Sequence, residues 1–234
     1  MRNAEIGRAD DGVPNVEGSP QFLVGAASWT DPSLVKSDTF YPPDLKTAED
    51  RLRFYAANFA TVEVDATYYA MISEKNARLW TERTPEHFIF NVKAYSLLTQ
   101  HAADVARMPK ELKEMLARSD RAERRLKHPP PEILDLSFQM FWSALGPLRA
   151  TEKLGLLLFQ FPPYFVKTLV NLDYIAALNE KMPGAAIAIE FRHRSWIADS
   201  RVRDETMAFL RRHNLAYVSV DAPPIPAALP PFLE

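Results

Sequence analysis

The chain has 234 residues, 28 of them Lys or Arg against 30 Asp or Glu, and a net charge of −2, which gives no general attraction to nucleic acid or anionic lipid. With 47% hydrophobic and 25% charged residues it reads as globular, and it is long enough for one large core. No cysteine is present, which excludes disulfides, thiolate metal sites and a cysteine nucleophile, and fits a cytoplasmic location.

Residues 1–20 carry no apolar run of the signal-peptide kind and are expected to form a disordered tail. The first expected strand is Phe22–Ser28, ahead of a helix opened by Pro42-Pro43-Asp44 and running to about Phe59. Thr61–Asp65 is the second strand. Ser73 is the expected N-cap of a helix holding Ala77, Leu79 and Trp80, which Thr84-Pro85 ends. Phe88–Lys93 is the third strand. The connection after it, near 101–150, is too long for one helix and is expected as a helical insertion split at His128-Pro129-Pro130-Pro131. Its Arg107–Lys127 part holds 8 Lys/Arg against 4 Asp/Glu, read as a solvated helix with a polyanion-binding flap as the alternative. Gly155–Phe161, Ala185–Arg192 and Ala216–Asp221 complete the strands, with helices near Asn171–Lys181 and Asp204–His213 between them. Residues 223–234 form a Pro-rich tail, which leaves 21–222 as one domain. No segment is long and apolar enough to span a membrane, so no membrane association is expected.

Strand–helix alternation implies a parallel sheet, because parallel neighbours need long crossovers. Side chains alternate across a strand, and here the polar ones share one parity. Val62 and Val64 oppose Glu63 and Asp65; Phe88, Phe90 and Val92 oppose Asn91 and Lys93; Ile187, Ile189 and Phe191 oppose Glu190 and Arg192. Gln160, Ser219 and Asp221 repeat the pattern. With the apolar face against helices, the polar face looks into a barrel whose chemistry gathers at the C-terminal mouth. No P-loop, GxGxxG or GxSxG sequence is present, which argues against nucleotide-dependent transfer and serine-hydrolase chemistry.

The order and spacing of several motifs resemble the YecE-like family, catalogued as domain of unknown function number 72. They are Val24-Gly25-Ala26-Ala27-Ser28-Trp29, Phe40-Tyr41-Pro42-Pro43, Val62-Glu63-Val64-Asp65-Ala66-Thr67-Tyr68-Tyr69, Phe90-Asn91-Val92-Lys93-Ala94, Leu98-Thr99-Gln100-His101, Leu154 to Pro163, and Ile189-Glu190-Phe191-Arg192-His193-Arg194-Ser195-Trp196. The resemblance implies a TIM-type (β/α) barrel over residues 22 to 222, of which about six βα units are recognisable. It implies no activity. Where the family usually has Thr-Ser, this chain has Ala26-Ala27, and the last two barrel strands are not recognisable. The barrel is therefore expected to be incomplete at its C-terminus, with an open edge that a partner or a second copy could cover.

Inward carboxylates near a mouth are costly unless paired or used. Glu63, Lys93 and Glu190 are the expected catalytic groups, the carboxylates as acid and base. Structural ion pairs, Glu63 with Lys93 and Glu190 with Arg192, are the alternative. Trp29, Tyr68, His101, Gln160, Arg192, His193, Trp196 and Asp221 are the expected binding residues for a small polar or anionic ligand. No resident cofactor is expected. Glu63, Asp65, Glu190, His193 and Asp221 supply the alternative of a divalent-metal set, although no compact metal motif is present. Three functions follow in order: acid–base enzyme, metal-dependent phosphoester or nucleic-acid enzyme, and binding protein.

Overall fold

The computed structural model describes residues 22–37, 39–118, 124–221 and 229. The expected tails at 1–20 and 223–234 lie outside the described residues, apart from Leu229. Helices α1 (Pro32–Lys36) and α2 (Ala48–Asn58) precede β1 (Thr61–Val64), and α3 (Ala66–Tyr69) and α4 (Glu74–Glu82) lead to β2 (Ile89–Lys93). The long connection then makes an antiparallel ribbon of β3 (Ala103–Asp104) and β4 (Arg125–Leu126) around α5 (Lys110–Ala117). It continues through α6 (Pro131–Ala144) and α7 (Gly146–Ala150) into β5 (Leu154–Gln160). Helices α8 (Leu169–Ala176) and α9 (Leu178–Lys181) cross to β6 (Ala186–Glu190), and α10 (Ser200–Arg212) crosses to β7 (Leu215–Tyr217).

The main sheet has five strands, all parallel, in the order β1-β2-β5-β6-β7, so each strand pairs with its nearest main-sheet neighbours in the chain. That one-way winding places every crossover on the same side. The parity expected from sequence holds. Val62, Val64, Phe90, Val92, Leu157, Phe159, Ile187 and Ile189 are buried in one core cluster that runs from Trp29 to Leu215. Register pairs Glu63 with Asn91, Lys93 with Leu158, Leu158 with Ala188 and Gln160 with Glu190 on the opposite face. Among the described residues β1 and β7 are not paired, and no closed barrel forms.

Four elements depart from expectation, the first being Arg107–Lys127, where among the described residues only Lys110–Ala117 is α-helical, Leu112 and Leu116 are buried, and Arg125–Leu126 is a strand. Phe22–Ser28 is not a strand. It touches β1 through a single bridge, Ala27 to Glu63, with Ser28 N–H donating to the Glu63 carbonyl at 2.9 Å. Gly25 packs so close to the Thr61 carbonyl that any side chain there would collide, and the chain turns at Ser28, whose φ is 75°. The last strand stops at Tyr217 instead of reaching Asp221: Val218 N–H still donates to the Ile189 carbonyl at 2.9 Å, and β6 itself ends at the next residue, Glu190. Helix α2 starts at Ala48, not Pro42: Thr47 and Asp50 form a reciprocal capping box, while Pro42 makes only a turn to Leu45. Ser73 caps α4 as expected, accepting from Asn76 N–H at 3.2 Å.

Candidate functional site

The ends of β1, β2, β5 and β6 carry the polar cluster. Tight packing of Val62 and Val64 on one face of β1 forces Glu63 to the other. Register sets Asn91 opposite Glu63, so Lys93 lies one pleat further along and meets Asp65, with Nζ 3.3 Å from Oδ1. The carboxyl of Glu63 is hydrogen-bonded to that of Asp65. Burial first, then the Asp65 bond and charge, and also the Glu190 charge push Glu63 up to about 7 against the pull of Lys93. Near neutrality this carboxyl is divided between its acid and base forms.

The loop after β2 is fixed from beneath. Tyr174 donates to the Leu98 carbonyl and Tyr164 to the Gln100 carbonyl, each at 2.9 Å. Gln100 adopts a left-handed φ of 60°, which turns His101 back toward the cluster. Its Nδ1 lies 2.9 Å from Thr99 Oγ1, and its ring meets Tyr68 edge-on at 5.2 Å. Burial, then the Lys93 charge, hold His101 down to about 4, so the ring is neutral at physiological pH. Tyr68 also faces the Lys93 ammonium, which is 5.6 Å from its ring centre. Thr67 Oγ1 spans the carbonyls of Val64 and Lys93 at 2.8 and 2.6 Å, tying β1 to β2 at this point.

Glu190 is 4% exposed at the end of β6. Arg192 pairs with its Oε1, and Gln160, opposite it in register, donates to the same oxygen at 2.8 Å. The structure thus makes the Glu190–Arg192 ion pair but gives Lys93 to Asp65 instead of Glu63. One nitrogen of the arginine, Nη2, is held by the buried carboxylate, while the side chain stays 44% exposed and keeps its other donors.

Several expected binding residues lie elsewhere. Trp29 is in the core, edge-on to Trp80 at 5.4 Å, with Nε1 donating to the Ala48 carbonyl. Trp196 is fully buried, stacked on Phe191 at 4.1 Å and bonded through Nε1 to the Phe165 carbonyl at 2.7 Å. Both rings turn inward because each indole N–H finds a backbone acceptor there. His193 caps the Arg194–Trp196 turn, its Nδ1 accepting from Ser195 N–H at 3.1 Å. Asp221 is exposed beyond the end of β7. The metal-set alternative is not assembled: among the described residues no three His, Asp or Glu side chains are grouped to hold an ion. Asp65 is the member whose role as ion-pair partner was not foreseen, although its parity with Glu63 was visible.

The family profile described as "Protein of unknown function DUF72" matches residues 23–232. The UPF0759 protein YunF of Bacillus subtilis is 31% identical over 205 residues, covering 87% of this chain. This chain spans 62% of that relative's length. A DUF72 family protein from Thermotoga maritima superposes with a TM-score of 0.63 at 28% identity, over 90% of this chain and 68% of the other. One from Enterococcus faecalis superposes at 0.64 with 23% identity, over 90% and 67%. Among the described residues no helix is long and apolar enough to cross a membrane.

Proposed function

The chain belongs to the DUF72 family, and we propose that it is an acid–base enzyme acting on a small polar or anionic substrate at the mouth formed by β1, β2, β5 and β6. The observation that carries this reading is the Glu63 carboxyl, pushed up to about 7 by burial and by its bond to Asp65. A group poised near the working pH can both give and take a proton, which is what general acid–base catalysis requires. Lys93, bonded to Asp65 beside it, holds local positive charge to orient an anionic substrate group. Neutral His101 and the Tyr68 ring form a wall on the Lys93 side. Glu190, already paired with Arg192, supplies field and shape, and its earlier assignment as the partner base passes to Asp65. The one-way parallel winding supports reading the sheet as part of a TIM-type barrel wall, where catalysis gathers at the strand C-termini.

The test is a 13C-carboxyl NMR titration of Glu63. The expected midpoint lies near 7, moves down in Asp65→Asn, which removes a raising charge, and moves up in Lys93→Met, which removes a lowering one. A midpoint in the ordinary carboxylate range refutes the reading. In a turnover screen of small carboxylate and phosphoester compounds, Glu63→Gln is expected to remove the activity, and the pH–rate profile to bend near the Glu63 midpoint.

A further inference from the structure

We propose that the hollow between the β3–β4 ribbon and α3 is a binding site for a phosphoryl or comparable dianionic group of a small molecule. A cavity of about 560 Å³ is lined there by Arg107, Arg124 and Arg125, with Tyr68, Tyr69 and Asp104. The guanidinium groups of Arg107 and Arg124 pair with no carboxylate among the described residues. Arg125 spends one N–H on the Ala102 carbonyl at 3.2 Å, which anchors it and leaves its other donors. The one carboxylate in the lining, Asp104, is already engaged, accepting from Ala106 N–H at 3.0 Å. Three cations against one engaged carboxylate concentrate positive charge in a molecule whose net charge is −2. The excess belongs to the Arg107–Lys127 stretch and not to the molecule as a whole, and an anion held at this hollow offsets it. Arginine, with planar paired donors, suits a tetrahedral dianion better than lysine.

The aromatic wall adds a second feature. Tyr68 and Tyr69 meet edge-on at 4.9 Å, and the Tyr68 ring both lines this hollow and stands 5.6 Å from the Lys93 ammonium. A ligand anchored by its anion against the arginines would reach past Tyr68 toward Lys93 and Glu63. That second statement rests on the acid–base reading; the anion site itself does not.

Calorimetric titration of inorganic pyrophosphate into the whole chain tests it, using the native protein, Arg107→Gln/Arg124→Gln and Glu63→Gln. Pyrophosphate is expected to bind the native protein, to lose about tenfold or more in affinity in the double variant, and to bind Glu63→Gln unchanged. Arg124→Gln alone, expected to lose a smaller share, replaces the double variant if that chain does not fold. Absence of binding, or equal binding to all forms, overturns the site. So does loss in Lys93→Met with retention in the arginine variant, which would put the anion at the acid–base cluster. Tighter binding of a short single-stranded DNA, with a steep salt dependence, would make the patch part of a nucleic-acid surface and also overturn the proposal. Retained pyrophosphate binding together with an ordinary Glu63 midpoint would keep this site while refuting the acid–base reading.

Discussion

Glu63 and His101 are both driven toward neutrality, Glu63 by holding its proton and His101 by releasing it. Their effects on stability therefore run in opposite directions with pH. Glu63 is raised from 4.5 to about 7, so the native state binds more protons than the unfolded chain in that window. Its contribution is greatest below 4.5 and falls as pH rises toward 7. His101 is lowered from 6.5 to about 4, so its contribution is present above 6.5 and is lost as pH falls toward 4. Between about pH 4.5 and 6.5 the two slopes oppose. Glu63→Gln is expected to tilt the stability curve so that, relative to the native protein, it gains with rising pH. His101→Gln is expected to tilt it the other way. After solvent screening each tilt amounts to on the order of 1–2 kcal/mol across the window. Urea unfolding at pH 4.5, 5.5 and 6.5 for the three proteins reads it, and two variants tilting alike would show that one group is not neutralised by burial.

At the scale of elements, the join between β2 and β5 is built on one close approach. The register slips between Phe90 and Val92, and the Asn91 side chain fills the gap: Oδ1 accepts from Leu156 N–H at 2.8 Å, and Nδ2 donates to Thr61 Oγ1 at 3.0 Å. Gly155 makes this fit, since a Cβ there would stand 2.5 Å from both Asn91 Oδ1 and Ile89 Cγ2. Gly155→Ala is expected to cost about 1–3 kcal/mol in urea unfolding. Gly146→Ala, where a Cβ meets nothing within 4 Å, is expected to be neutral or slightly stabilising. Equal effects would mean that β5 shifts to accommodate the methyl. The same register explains what was legible in the sequence. Parity placed Glu63, Lys93 and Glu190 on the polar face correctly, because period-two alternation is local. The partner of Lys93 was not legible: Asn91 stands opposite Glu63 only once β1 and β2 are aligned. Trp29 and Trp196 were misplaced for a similar reason, since an aromatic residue beyond a strand end can wall a cleft or fold back, and only a distant backbone carbonyl decides.

Across the whole molecule, one apolar cluster joins the helices on the outer face of the sheet from Trp29 to Leu215. Within it α4 packs on α7, α5 on α6 and α10 on β7, so the described residues share one core instead of two. The aromatic residues sample both ends of this core. Trp29 and Trp80 pack with Phe90 behind β2, whereas Trp196 stacks between Phe165 and Phe191 beyond β5 and β6. A continuous core of this kind favours coincident loss of all its parts, even in a chain long enough for intermediates to be common. Two fluorescence reporters test it. The Trp29→Phe/Trp80→Phe protein is dominated by Trp196, and the Trp196→Phe protein by Trp29 and Trp80, with Trp142 common to both. In each variant the fluorescence midpoint in urea is expected to coincide with the far-UV dichroism midpoint. Earlier loss of fluorescence than of dichroism in only one of them would show that the core melts in two parts. The β2–β5 join at Asn91 and Gly155 would then be the boundary, and the Glu63 cluster would depend on one half alone.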